Sequence, residues 1–81
     1  MKKQELLQLI QDGREIEFEY RGKRYSITYY NDGRPKYISF CEFYQEPIDV
    51  EAPEKVLDIL IENIRLERIF EYLPDTAIDI F

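Results

Sequence analysis

REIEFEYRGKRYSITYYNDGRPKYISFCEF, Arg14 to Phe43, reads as three β-strands joined by two turns, and its alternation decides the fold. Ile16, Phe18 and Tyr20 alternate with Glu15, Glu17 and Glu19, the period of a strand with one face buried. A two-residue turn at Arg21-Gly22 sets Tyr20 opposite Lys23, Glu19 opposite Arg24, Phe18 opposite Tyr25 and Ile16 opposite Ile27. Apolar then meets apolar, and charge meets opposite charge. A second two-residue turn at Asp32-Gly33 sets Ile27 opposite Ile38, Tyr25 opposite Phe40 and Tyr29 opposite Lys36. The expected buried face is Ile16, Phe18, Tyr20, Tyr25, Ile27, Tyr29, Ile38 and Phe40. A one-residue slip would exchange Ile38 and Phe40 for Tyr37, Ser39 and Cys41, so the face should be firmly specified. Pro35 lacks a backbone N–H and suits an edge. The middle strand is then Lys23–Asn31, with an edge on either side.

Outward from the meander, Leu6, Leu9 and Ile10 at i, i+3, i+4 predict a helix over Lys3–Gln11, with Gly13 as its left-handed C-terminal cap. On the other side, FYQEPIDVEA (Phe43–Ala52) lacks a clean period and contains Pro47, and reads as a loop. Pro53 fits the first turn of a second helix running through Glu62, whose apolar residues Val56, Leu57, Ile59, Leu60 and Ile61 cover a wide arc. The phase then breaks at Asn63–Arg65. Leu66, Ile69, Phe70 and Leu73 predict a third helix, Leu66–Leu73, which ends before Pro74. The tail through Ile78 and Ile80 alternates weakly, as a short strand or an extended arm. The expected fold class is α+β: an N-terminal helix, a three-stranded antiparallel meander, then two C-terminal helices packed on one sheet face, all in one domain of 81 residues.

Composition narrows the chemistry. There is no histidine, so the commonest general base and metal ligand are missing. One cysteine, Cys41, builds neither an internal disulfide nor the usual zinc site, and fits a reducing compartment. The glycines are isolated, so no phosphate loop is expected. No apolar run approaches the ~20 residues of a membrane span, and Met1–Glu5 lacks a signal-peptide core. The expectation is a cytoplasmic protein with no cofactor and no metal. Residues 1–41 carry eight Lys/Arg and six Asp/Glu, whereas residues 42–81 carry three and eleven, giving +2 and −8 and the total of −6. A field of that sign disfavours nucleic acid and favours basic partners for the C-terminal half.

Two patterns invite chemistry. Glu15, Glu17 and Glu19 share a face about 7 Å apart and could hold a divalent ion or serve a carboxylate hydrolase; a charged strand that resists stray pairing is the simpler reading. Cys41 falls opposite Arg24 in the expected register, yet has no base beside it. Tyr30 and Tyr37 with Arg24 resemble a base-stacking face, but the three glutamates there repel phosphate.

The runs REIEFEYRGKRYSITY and YISFCEFYQEP, followed by the helical patterns, resemble small proteins of low-GC Gram-positive bacteria and their mobile elements, to which no activity is assigned. The resemblance implies the fold and a cytoplasmic setting, and carries no catalytic residue. The order of elements with its acidic charge is also similar to some phage inhibitors of CRISPR nucleases.

The functional expectation is a non-catalytic protein-interaction or regulatory module. Its third strand is an open, apolar edge, to be covered by the Ile78–Phe81 tail or by another chain, a homodimer included. The candidate contact residues there are Tyr37, Ser39, Cys41 and Phe43. The alternative is an acidic inhibitor mimicking nucleic-acid charge through Asp58, Glu62, Glu67 and Glu71.

Overall fold

The computed structural model describes residues 1–30 and 37–81. The expected Asp32-Gly33 turn, Pro35 and Lys36 lie outside the described residues. Helix α1 (Lys3–Gln11) has the expected bounds. Gly13 caps it at φ +76°, with its N–H on the Ile10 carbonyl and the Arg14 N–H on the Leu9 carbonyl, the paired bonds of a Schellman motif.

Strands β1 (Ile16–Tyr20) and β2 (Lys23–Tyr30) pair in the expected register, from Tyr20 opposite Lys23 to Ile16 opposite Ile27. Arg21 (φ +52°) and Gly22 (φ +77°) both take the left-handed conformation, as a type I′ turn requires. Strand β3 (Tyr37–Glu42) is antiparallel to β2 but two residues away from the expected register: Phe40 lies opposite Ile27, and Ile38 opposite Tyr29. An even shift leaves every side chain on its expected face, so Ile38 and Phe40 remain buried. The observed register brings Phe40 beside Phe18 and Tyr25, and stacks Tyr30 on Tyr37 across the strands at 5.0 Å. Cys41 consequently lies opposite Ser26 rather than Arg24.

Neither β1 nor β3 is an edge. Strand β4 (Ile48–Val50), inside the expected loop, pairs with β3, and β7 (Ile78–Ile80), in the tail, pairs with β1. Among the described residues the sheet has five antiparallel strands in the order β4-β3-β2-β1-β7. The tail therefore protects the first strand, not the third. Pro47 directly precedes β4, where its missing N–H withdraws nothing from the ladder.

The second expected helix is the largest departure. Helix α2 covers only Pro53–Val56, with Pro53 at its start. From Leu57 the burial alternates, Leu57, Ile59 and Ile61 inward and Asp58, Leu60 and Glu62 outward. The apolar arc that was too wide for one helix face is a period-two pattern. Strands β5 (Leu60–Ile61) and β6 (Ile64–Arg65) form a small hairpin around Glu62 (φ +51°) and Asn63 (φ +68°), a second turn with two left-handed residues. Helix α3 (Leu66–Tyr72) follows as expected, one residue short at its end.

The core lies on one face of the sheet. Phe18 is fully buried between Tyr25, its stacked neighbour at 5.2 Å, and Phe70 of α3, edge-on at 4.8 Å. Leu6 and Ile10 of α1, Val56, Leu57, Ile59 and Ile61 of the α2–β5 stretch, and Leu66 and Ile69 of α3 complete it. Tyr20 and Tyr29 are half-buried at its margin. The opposite sheet face carries Glu17, Arg24, Ser26, Thr28, Tyr30, Tyr37, Ser39 and Cys41.

Candidate functional site

The expected contact strand is occupied along its backbone. Ile38, Ser39 and Phe40 pair with Val50, Asp49 and Ile48, so a homodimer through that edge would have to displace β4. Ser39 is buried, and Tyr37, Cys41 and Phe43 are half-buried. The Cys41 thiol donates toward the Glu42 and Gln45 carbonyls, at 3.0 and 3.2 Å. Arg24 stands 5.8 Å over the Phe43 ring and bridges Glu17 (3.2 Å) and Asp79 (3.0 Å). Those hydrogen bonds, Asp79 first, raise the Arg24 pKa above its already high value and keep it charged. Glu17 is thus committed to an ion pair. Among the described residues no three His, Cys, Asp or Glu side chains converge as a metal ligand set.

The four expected acidic contact residues do not form one uninterrupted face. Asp58 pairs with Arg65, Glu62 with Arg21, and Glu67 with both Arg65 (3.1 Å) and Lys3 (3.8 Å). The hydrogen bond to Asp58 raises the Arg65 pKa. Glu71 sits in a hollow with Met1, Lys2 and Lys3 and with two further carboxylates, Glu5 and Asp75.

Another concave feature lies at the junction of the β1–β2 turn, the β5–β6 hairpin and α3. It is an open groove of about 630 Å³. The β1–β2 turn gives it Tyr20 and Arg21; the hairpin gives Asn63, Ile64 and Arg65; α3 gives Arg68, Ile69 and Tyr72. Among the described residues no carboxylate lines it, although the chain as a whole carries −6. Arg21 lies 5.2 Å over the Tyr20 ring and Arg68 lies 6.0 Å over the Tyr72 ring. Tyr72 is 76% exposed, and Arg68 is exposed without a carboxylate partner among the described residues. Three arginines lining one groove with two tyrosines and Ile64 can receive an anionic ligand with an apolar portion.

Sequence reasoning missed this groove because Tyr20 and Arg21 lie some forty residues before its hairpin and α3 residues along the chain. One signal was present: Arg65, Arg68 and Tyr72 fall at i, i+3, i+7, from the residue before α3 along its exposed side. Comparison with protein-family models, with curated proteins and with solved structures gives no match. No helix among the described residues is long and apolar enough to cross a membrane.

Proposed function

We propose that this chain is a non-catalytic protein-interaction module whose partner seats in the arginine–tyrosine groove. The observation that carries the reading is the gathering of Arg21, Arg65 and Arg68 beside Tyr20 and Tyr72 in an otherwise acidic protein. Arginine and tyrosine are the side chains most often found at the energetic centre of protein interfaces. Both tyrosines have a guanidinium over the ring, which holds broad, rigid contact area at low entropic cost. The cytoplasmic setting and the resemblance to small proteins of low-GC Gram-positive bacteria and their mobile elements, to which no activity is assigned, belong to the same proposal. The acidic-mimic alternative has less to stand on, because Asp58, Glu62 and Glu67 each share their charge with a cation.

The test is affinity capture from lysate of the source organism with three tagged chains: the parent, Arg68→Glu, and Tyr30→Ala on the opposite sheet face. The reading expects a protein retrieved by the parent and by Tyr30→Ala and lost with Arg68→Glu. Undiminished capture by Arg68→Glu would remove the groove from consideration.

A further inference from the structure

We infer that the groove takes a short acidic segment of a partner protein, with carboxylates on either side of an aromatic residue. The inference rests on the proposed function above and adds the chemistry of the ligand.

The cations define the charge of the ligand. Arg65 holds Glu67 at 3.1 Å through its second terminal nitrogen. Arg21 pairs with Glu62 and Arg65 also with Asp58, but a guanidinium has five N–H donors and one carboxylate engages at most two. Those pairs are exposed, and exposed pairs are weak enough to be shared or exchanged. Among the described residues Arg68 has no carboxylate to give up. The groove therefore offers Arg68 as an uncommitted fork among the described residues and Arg21 as one held by a single carboxylate, with Arg65, held by two, adding charge; a free fork receives a carboxylate in bidentate fashion.

The walls define the rest. Half-buried Ile64 gives apolar surface over the buried Ile69, and Tyr20 and Tyr72 line the groove beside it. A groove of about 630 Å³ exceeds one side chain and suits a few consecutive residues. An aromatic residue fills such a space while its neighbours reach the arginines. A nucleic-acid strand is the competing polyanion, and the surroundings disfavour it. Its charge repeats about every 3.4 Å per strand, so it would run past the groove onto Asp58, Glu62 and Glu67, which border these arginines.

The probe is an end-blocked peptide of four glutamates around one central tyrosine, titrated against the full chain by fluorescence anisotropy. Its comparators are the same peptide with glutamines for glutamates, the same with alanine for tyrosine, and a thymidine pentanucleotide. The glutamate–tyrosine peptide should bind, with about tenfold weaker binding for the glutamine version and a several-fold loss for the alanine version. Arg68→Glu should weaken binding about tenfold with an unchanged circular dichroism spectrum and melting curve. Arg68 and Tyr72 are both exposed, and Tyr72→Ala gives a second variant independent of charge reversal. Equal binding of the glutamine peptide, tighter binding of the pentanucleotide, or indifference to both variants would overturn the inference. If lysate capture depends on Arg68 but the acidic peptide does not bind, the ligand class is wrong and the groove reading stands. If capture does not depend on Arg68, both fall.

Discussion

Arg21 and Glu62 occupy the same position in two different turns, and they form an ion pair with one another. Each is the first of two left-handed residues, followed by Gly22 and Asn63 respectively. Neither is the residue that such a turn prefers, which is asparagine, aspartate or glycine. The pair bridges the main sheet to the small hairpin at the mouth of the groove. Glu62→Asn should separate the two roles of that carboxylate. The turn improves, the exposed ion pair is lost, and stability should stay within about 0.5 kcal/mol of the parent. Arg21 is released into the groove, so affinity for the acidic peptide should rise several-fold. Paired urea titrations and anisotropy on the same samples measure both.

Phe18 is where sheet and helix layers meet, touching Tyr25, Phe40 and Phe70. Phe18→Ala should cost about 3–5 kcal/mol. A chain of this length has a total stability on the order of 4–12 kcal/mol, so the loss is a large part of the whole. Chemical denaturation should show the midpoint falling sharply, while Tyr30→Ala on the opposite face leaves it nearly unchanged.

Arg24 on β2 reaches past Glu17 on β1 to Asp79 on β7, so one guanidinium spans three neighbouring strands. Strand β7 is only three residues long and leans on this contact and on the Phe81 N–H to the Glu15 carbonyl. Asp79→Ala should speed amide hydrogen exchange at Ile78 and Ile80 with little change at Ile27 or Phe40. Uniform acceleration across the sheet would mean that β7 is integral to global stability instead.

Burial pushes the Tyr25 phenol pKa up. Below about pH 10 the group is neutral in both folded and unfolded chains and contributes no pH dependence. Above that, the unfolded chain gives up the proton while the folded chain holds it, so stability falls as pH rises toward the folded-state value. Urea midpoints between pH 8 and about 11 should decline more steeply for the parent than for Tyr25→Phe. Parallel slopes would mean that Tyr25 ionises as easily folded as unfolded.

The first hairpin was legible because a two-residue turn and strict alternation both point to one register. Faces were also legible in β3, since parity survives an even shift; the register itself was not, because it depends on which aromatic pairs stack across strands. Strands β4 and β7 are three residues each, too short for a period to stand out, and they exist because β3 and β1 offer them unpaired backbone. Leu57 to Ile61 is apolar enough to satisfy helix or strand, and only packing decides between them. The groove was the least visible feature. Tyr20-Arg21, Asn63–Arg65 and Arg68–Tyr72 acquire a common meaning only once the two hairpins and α3 meet.

The central claim is that a protein partner occupies this groove. A photo-crosslinking amino acid placed at position 72, with a matched placement at position 30 on the opposite sheet face, tests it directly in cells of the source organism. The account predicts a discrete adduct from position 72, lost when Arg68→Glu is added, and none from position 30. An adduct from position 30 alone, or one from position 72 that persists with Arg68→Glu, would contradict it.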